Sequence, residues 1–268
     1  MIFDKKFSLA VADPLYFMQF GPALVMSALE TGNNLYLAVV DWADKGRSGS
    51  IWNLCVHMRE VAASYPNVDF QVWVTSLPFK AVKESQKSVF YACARYHVAN
   101  QLLQQTNDKI QIHSMDIDSI FMKPLDLPDV KLGLHFREAQ GVSDHEKKGM
   151  RVLGHTILST YCKDYVARVS QFCIDHNWDH WFLDQEALAE CMTDIERAMV
   201  WDMKDHKLIE LGTDGIDINY TTESKLWSGK GERKYKNMTY VNKFNEKHLK
   251  FFNTNAAKDF LLEDKLSA

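Results

Sequence analysis

The sequence is poor in cysteine and has no long apolar run. Its cysteines are odd in number, widely spaced and free of any CxxC or Cys/His zinc spacing, at Cys55, Cys93, Cys162, Cys173 and Cys191. This pattern argues against a disulfide framework and favours reduced, buried thiols. No apolar stretch approaches the roughly 18 residues that span a bilayer, and the first residues lack the pattern of a signal peptide. We therefore expect a cytoplasmic protein, in a bacterial or viral context, without a membrane-spanning segment.

Positive charge is not in surplus either. The 268 residues include 31 Lys and Arg against 35 Asp and Glu, which gives a formal net charge of −4. A protein that binds nucleic acid mainly by charge has the opposite balance, so a nucleic-acid partner is not expected. Hydrophobic residues make up 46% of the chain and aromatic residues 12%. Such a composition suits a folded protein with a large core, or with a cleft in which rings and sugars stack.

The first half of the chain alternates apolar, strand-like runs with amphipathic, helix-like segments. Strands are predicted at 7–12, 35–40, 68–74 and 110–115, and helices at 16–30, 51–64 and 88–103. This alternation is typical of a mostly parallel sheet with helices on both faces. Ligands of such sheets bind at the carboxyl ends of the strands. Because Asp13 and the segment 116–118 each follow a predicted strand, we expect them to line one cleft.

The second half shows weaker periodicity. Strands are predicted at 130–136, 152–158, 198–201 and 208–211, helices at 161–176 and 183–192, and polar loops at 137–150 and 227–235. No internal repeat, low-complexity segment or linker interrupts it. The sequence therefore predicts an α/β protein with a single domain over residues 1–268.

Two carboxylates separated by one residue, Asp116 and Asp118, are the first candidate for chemistry. Such a pair beyond a strand can hold Mg²⁺ or Mn²⁺ against a diphosphate, because these cations favour oxygen ligands. The motif arises often by chance, and its residues could instead form a turn that ends the strand. The predicted strand 110–115 before it and the apolar segment 119–125 after it make the pair informative.

Residues 113–125 resemble the metal-binding segment of nucleotide-sugar glycosyltransferases with the GT-A fold, and in particular that of the retaining glycosyltransferase family 8. Other segments resemble that family in chain order. They are its first strand and turn at 10–16, its Arg-bearing helix at 90–96, its Asn-Ala-Gly-Val strand at 153–156, its Asp-Gln-x-x-Leu segment at 182–188 and its His-x-x-Gly-x-x-Lys loop at 227–234. Each motif is weak alone, but together they cover about residues 6–236.

The resemblance implies a single, Rossmann-like GT-A domain that transfers a sugar from a nucleoside-diphosphate sugar, of the UDP type, with retention. The acceptor, whether glycan, lipid or protein, is not identified. The implied metal is Mn²⁺ or Mg²⁺ at Asp116 and Asp118. The implied catalytic residues are Asp184 and Gln185, and the implied donor-sugar or acceptor contacts are Gly154 and His155. The implied nucleotide and diphosphate contacts are Ala12, Asp13, Tyr16, Arg95, Gly229, Lys230, Arg233 and Lys234. Residues of about 1–125 would then form the nucleotide-binding half, about 126–236 the donor-sugar and acceptor half, and 237–268 a C-terminal tail.

Two departures from the family pattern leave alternatives open. Leu226 stands where the family has a metal-ligating His, so the third ligand is unidentified, and water, Asp214 or Asp217 could replace it. The segment 153–156 also differs from the family's strand. A catalytically inactive nucleotide-sugar binding protein is therefore one alternative. A sugar nucleotidyltransferase is another, although such enzymes usually carry a Gly-rich basic loop after the first strand, where residues 13–16 have no glycine.

Several candidates also have a purely structural interpretation. Asp184 could be a helix N-cap, Asp13 a turn residue, Arg95 a surface ion-pair partner and His155 a satisfied core histidine. The basic cluster at 230–234 could be a solvated loop. Three tryptophans, Trp178, Trp181 and Trp227, could form a wall on which a sugar stacks or could pack in the core. The spacing of His176, Asp179 and His180 fits no well-defined metal site.

Overall fold

A computed structural model describes residues 3–40, 48–79, 83, 86–137, 151–203, 209–211 and 226–228. Its helices are Pro14–Thr31 (α1), Ser48–Ala62 (α2), Lys87–Gln105 (α3), Lys163–Asp175 (α4), Leu183–Glu190 (α5) and Asp194–Met199 (α6). Its strands are Lys5–Ala12 (β1), Leu35–Val40 (β2), Phe70–Thr75 (β3), Ile110–Met115 (β4), Ser119–Phe121 (β5), Gly133–Arg137 (β6), Arg151–Ser159 (β7), Trp201–Asp202 (β8), Ile209–Leu211 (β9) and Leu226–Ser228 (β10).

The strands form one large sheet, in the order β3-β2-β1-β4-β7-β6-β8, and a three-stranded sheet, in the order β5-β10-β9. Pairing in the large sheet is parallel between β2 and β3, β1 and β4, and β6 and β8. It is antiparallel where β7 meets β4 and β6. The predicted α/β class with a mostly parallel sheet is confirmed.

The chain divides into two compact units, and the prediction of a single domain remains a prediction. The first unit comprises residues 1–11, 77–116 and 126–208. In it, α3 packs against α4 and β4, and α5 packs against β7. The pairing of β4 with β7 places Ser114 opposite Thr156. The carboxyl end of β4 and the middle of β7 therefore lie side by side under these helices.

The second unit comprises residues 12–76, 117–125 and 209–268. Its α1 begins at an Asp-Pro pair, because Asp13 caps the first turn and proline is well suited to the first helical position. The helix ends at Gly32, whose φ of 73° lies in the left-handed region that glycine adopts without strain.

The end of α1 also holds the segment that follows Asp118. Ser27 Oγ accepts a hydrogen bond from the backbone N–H of Phe121 (3.1 Å). Asn33 donates from Nδ2 to the carbonyl oxygen of Lys123 (3.0 Å) and accepts at Oδ1 from the N–H of Leu125 (2.6 Å). The apolar segment 119–125 after the aspartate pair is therefore a short strand, followed by residues whose backbone is hydrogen-bonded to Asn33.

Two predictions from the second half of the sequence need correction. The predicted strand at 198–201 is wrong at its start, since Ala198 and Met199 end α6. The loop predicted from Trp227 begins instead as a strand, in which Leu226 pairs with Phe121 and with Ile209. Both errors fall where the apolar pattern is short, so periodicity alone does not distinguish helix, strand and loop.

All five cysteines are free, as predicted. No helix among the described residues is long and apolar enough to cross a membrane. The predicted diphosphate residues Gly229, Lys230, Arg233 and Lys234, the alternative ligands Asp214 and Asp217, and most of the predicted loop 137–150 lie outside the described residues.

Candidate active site

Arg95 of α3 is the centre of a buried polar cluster in the first unit. Its Nη2 lies 2.5 Å from Asp116 Oδ1, just beyond the end of β4. Its Nε donates to the carbonyl oxygen of Ala92 (2.9 Å), and its Nη1 donates to that of Gly154 at the longer distance of 3.4 Å. Burial lowers the pKa of Arg95, but Asp116, Tyr96 and Asp184 together outweigh this effect and hold that pKa above its ordinary value. Arg95 is therefore a fixed cation and not a surface ion-pair partner.

Gly154 of β7 allows this close approach. A Cβ atom at this position would lie 3.1 Å from Arg95 Nη1 and 3.4 Å from Asp184 Oδ2. The carbonyl oxygen of Gly154 also accepts a hydrogen bond from Tyr96 Oη (3.0 Å). The absence of a side chain thus leaves room for a guanidinium and a carboxylate to meet above the strand.

Asp184 is the second carboxylate of the cluster, and only 6% of it is exposed. It lies in the first turn of α5, whose N-cap is Phe182, so its interpretation as an N-cap is wrong. Burial raises the pKa of Asp184, Asp116 raises it further, and Arg95 acts in the opposite direction. Gln185 follows it, half-buried, with its backbone N–H bonded to the carbonyl oxygen of Phe182 (2.9 Å).

His155 lies on the other side of Asp116. It is 1% exposed, and its Nε2 is 3.4 Å from Asp116 Oδ2. The ring of His113 is 6.1 Å away, and His113 Nδ1 is 3.2 Å from Ser8 Oγ. Burial, with a smaller effect of His155, lowers the pKa of His113 to about 3. Asp116 is therefore contacted through one oxygen by a cation and through the other by an imidazole.

His113 is the residue of this cluster to which sequence reasoning assigned no role. It was visible in the motif segment, three residues before Asp116. Because it falls inside a strand that is otherwise read as apolar, nothing marked its side chain as part of a polar group. The available signal was a second histidine, His155, on another predicted strand. It could not be paired with His113, because the sequence does not state which strands are neighbours.

Four of the predicted residues that the structure describes belong to the second unit. Asp13 Oδ1 accepts hydrogen bonds from the backbone N–H groups of Leu15 (2.7 Å) and Tyr16 (3.0 Å), so its turn-forming role is real. The ring of Tyr16 lies 5.1 Å from that of Phe20. Ala12 and Asp118 are both buried. Contacts of these residues with a nucleotide remain predictions.

A metal site would have to be completed by other groups. Carboxylate oxygens are suitable donors for Mg²⁺ or Mn²⁺, and Asp116 and Asp118 are two of them. In the part of the chain that the structure describes, no group of three or more His, Cys, Asp or Glu side chains is arranged to hold a metal ion. This includes His180, which is instead paired with Asp179 (2.5 Å) and Glu186 (2.7 Å).

Comparison with known proteins identifies the fold of the chain. No protein-family model matches it, and no curated protein sequence matches it. Solved structures do match. The glycosyltransferase GlyE of Streptococcus pneumoniae TIGR4 shares 13% identity over 85% of this chain and 56% of its own, with a TM-score of 0.51. The galactosyltransferase LgtC, in complex with donor and acceptor sugar analogues, shares 14% over 84% of this chain and 87% of its own, also with a TM-score of 0.51.

The chain has the GT-A glycosyltransferase fold. The bifunctional glycosyltransferase WbbM matches with 14% identity over 87% of this chain and the same TM-score of 0.51. The match covers 47% of WbbM and 56% of GlyE, so this chain spans about half the length of each. The fold expected from the motifs is thus confirmed.

Proposed function

We propose that the protein is a glycosyltransferase that moves a sugar from a nucleoside-diphosphate sugar to an acceptor. The observation that carries this proposal is the buried cluster of Arg95, Asp116, Gly154 and Asp184 on the GT-A fold. LgtC, which shares the fold, was solved with donor and acceptor sugar analogues. UDP as the nucleotide and retention at the anomeric carbon are the finer parts of the proposal, and the family resemblance supports them.

Charge development explains why a fixed cation belongs in such a site. When the bond to the sugar breaks, negative charge grows on the departing nucleoside diphosphate. A preorganised cation stabilises that charge more in the transition state than in the ground state, which accelerates transfer. Arg95 is held in place by Asp116 and by the carbonyl oxygens of Ala92 and Gly154. It is therefore suited to contact the diphosphate or a donor-sugar hydroxyl without reorganising.

Asp184 and Gln185 are assigned to the donor sugar. Asp184 is buried beside a fixed cation, where a carboxylate can accept hydrogen bonds from sugar hydroxyls. A site built to bind hydroxyls in this way discriminates strongly against analogues that lack them, because its buried polar groups would be left unpaired. Gln185, the next residue on α5, is assigned a place beside the anomeric carbon.

Asp116 and Asp118 are the residues that would hold Mn²⁺ or Mg²⁺. Their oxygens fit the preference of these cations, and phosphate oxygens of the donor would complete the ligand set. When bound, the cation would neutralise charge on the diphosphate. Lys230, Arg233 and Lys234, with the backbone N–H groups near Gly229, are proposed to close over the same phosphates.

Isothermal titration with UDP, in Mn²⁺ and again in chelator, tests the donor side. We expect binding in Mn²⁺ and a large loss of affinity in chelator. Equal affinity in both media would exclude the metal-bridged arrangement, and no binding in either would exclude UDP as the nucleotide. A thermal-shift screen of sugar nucleotides with Mn²⁺ would then identify the donor sugar.

Turnover and product analysis test the transfer itself. Asp118→Ala should abolish release of UDP from the donor, whereas Asp129→Ala should not, since Asp129 forms only an exposed ion pair with Lys6. The anomeric configuration of the product, measured by NMR, decides between retention and inversion. Release of pyrophosphate from a nucleoside triphosphate and a sugar phosphate would instead identify a nucleotidyltransferase.

A further inference from the structure

The segment 177–182, between α4 and α5, contains unusual backbone conformations. Among the described residues, the non-glycine residues with positive φ are Asn177 (50°), Trp178 (52°) and Phe182 (73°). Asparagine tolerates this left-handed region, but bulky aromatic residues do so at a clear energetic cost. Such strain persists only where surrounding contacts enforce it, and it is often found at binding sites.

One end of the segment is anchored in the core. Trp178 is 2% exposed, stacks on Phe79 with ring centroids 5.6 Å apart, and meets the edge of Phe90 at 5.2 Å. Gln86 Nε2 donates a hydrogen bond to the carbonyl oxygen of Asn177 (2.9 Å). Of the alternatives for Trp178, core packing is therefore the one observed.

The other end is tied to the helix that carries Asp184. His180 Nδ1 contacts Asp179 Oδ1 (2.5 Å), and His180 Nε2 contacts Glu186 Oε2 of α5 (2.7 Å). Partial burial lowers the pKa of His180, but its hydrogen bonds with Asp179 and Glu186 outweigh this and raise that pKa. The segment is therefore held at both ends by specific contacts.

Directly after His180, the segment exposes an aromatic ring. Trp181 is 58% exposed, and its ring lies 5.9 Å from that of Phe182. It precedes Asp184 by three residues in the sequence, just before α5 begins. The sequence thus contains two tryptophans three residues apart, of which Trp178 is buried as an anchor and Trp181 is exposed.

The chemistry around Trp181 is that of a saccharide site. An indole face offers a flat apolar surface to the C–H groups of a pyranose ring. His180, the residue before Trp181, is paired with the carboxylates of Asp179 and Glu186. Their oxygens can accept hydrogen bonds from sugar hydroxyls. Apolar surface with a few fixed polar groups is the usual composition of a small-molecule site.

We propose that Trp181 is the stacking platform for a pyranose ring of the acceptor, so that the acceptor is a saccharide. The role of the bound saccharide as acceptor rests on the proposed function, whereas the site itself rests on the geometry of segment 177–182. The buried cluster around Arg95 and Asp184 is assigned to the donor, which leaves the exposed ring of Trp181 for the second substrate.

A glycan array probed with the wild-type chain and three variants tests the site. We expect the wild type to bind at least one class of glycan. Trp181→Ala should lower that binding about two- to tenfold, which corresponds to the energy of a stacked aromatic contact, and Trp181→Phe should restore part of it. Trp52→Ala is the matched control, because Trp52 is 53% exposed on α2 and belongs to the other unit.

Titration of UDP into the same four proteins separates this inference from the proposed function. We expect Trp181→Ala to weaken glycan binding by a larger factor than UDP binding. If the wild type binds UDP but no glycan, or if wild type and Trp181→Ala bind glycans equally, the stacking role of Trp181 is overturned. The proposed donor binding is unaffected by either result. Glycan binding that depends on Trp181, without any UDP binding, would support the saccharide site and overturn the proposed donor.

Discussion

Arg95 Nη2 and Asp116 Oδ1 are 2.5 Å apart, and the arginine is buried while the aspartate is partly exposed. An ion pair with this asymmetry keeps the arginine fixed and leaves the aspartate partly accessible to solvent. The guanidinium also bonds to two carbonyl oxygens, so its planar fork and not only its charge is used.

A substitution that removes the guanidinium of Arg95 but keeps its positive charge tests whether this hydrogen-bonding geometry matters. Arg95→Lys should lower kcat/KM by about 10²-fold or more, the usual effect of removing one preorganised donor, because an ammonium cannot reach Asp116 and both carbonyls together. Steady-state UDP release measures the effect. Arg197→Lys, an exposed position on α6, should behave as wild type. A turnover of Arg95→Lys near that of the control would remove Arg95 from the site.

Gly154→Ala tests whether the space above β7 is functional. The added Cβ would press on Arg95 Nη1 at 3.1 Å, so we expect a loss of turnover with only a small fall in melting temperature. Gly133→Ala should have the opposite effect, a loss of stability without a loss of turnover. Its Cβ would lie 3.0 Å from Ile157 Cβ in the core, away from Arg95. That variant should lose stability by about 1–3 kcal/mol from overpacking while its folded fraction stays active. Similar kinetics for both variants would contradict the assignment.

Asp184→Asn should affect stability and activity in opposite directions. A buried carboxylate is costly to desolvate, as its raised pKa indicates, so a neutral isostere should leave the free energy of unfolding equal or higher. Turnover should fall by about 10²-fold or more, because an amide binds sugar hydroxyls and the Arg95 cation differently. Asp175→Asn, at the end of α4, is the control. Loss of both folding and activity in Asp184→Asn would indicate a structural role instead.

Two buried histidines predict how stability depends on pH. Burial lowers the pKa of His97 to about 3, and burial with His155 lowers that of His113 to about 3. In the unfolded chain both titrate near 6.5, so the unfolded state binds more protons below that pH. Each histidine therefore removes up to about 1.4 kcal/mol of stability for each pH unit between about 6.5 and 3.

Urea unfolding at pH 7 and pH 5 measures this loss. In His97→Gln and His113→Gln, one of the two contributions is absent, so each variant should lose less stability than the wild type over that interval. Carboxylates titrate in both proteins and cancel in the comparison. An unchanged pH dependence in both variants would show that these histidines are not the cause.

Sequence predicted the strands best where buried runs end at turn signals. The bounds of β2 and β4 match the prediction, since the first follows Gly32 and the second ends at the Asp116 turn. The start of α6 was missed, although Thr193 and Glu196 form a capping box that the sequence displays three residues apart. The short apolar pattern at 198–201 predicts a strand, but the capping box at Thr193 is the stronger local signal and indicates a helix.

The candidate site was predicted by resemblance and not by periodicity. The motifs named Arg95, Asp116, Gly154 and Asp184 one by one, but their contacts join α3, β4, β7 and α5 across long sequence separations. The contact of His155 with Asp116 could not be foreseen, because nothing in a single sequence states which strands are neighbours. The diphosphate residues at 229–234 remain a prediction, since they lie outside the described residues.

The antiparallel pairing of β7 with β4 makes strand register a condition for activity. Ser114 pairs with Thr156, and Gly154 precedes Thr156 by two residues on the same strand. A shift of this pairing by a single residue would exchange the faces of every side chain on β7, so Gly154 would no longer lie beneath Arg95. A one-residue insertion between Gly154 and Thr156 is therefore expected to yield a folded but inert protein. Between Leu134 and Phe136 the pairing already contains an irregularity that could absorb an extra residue.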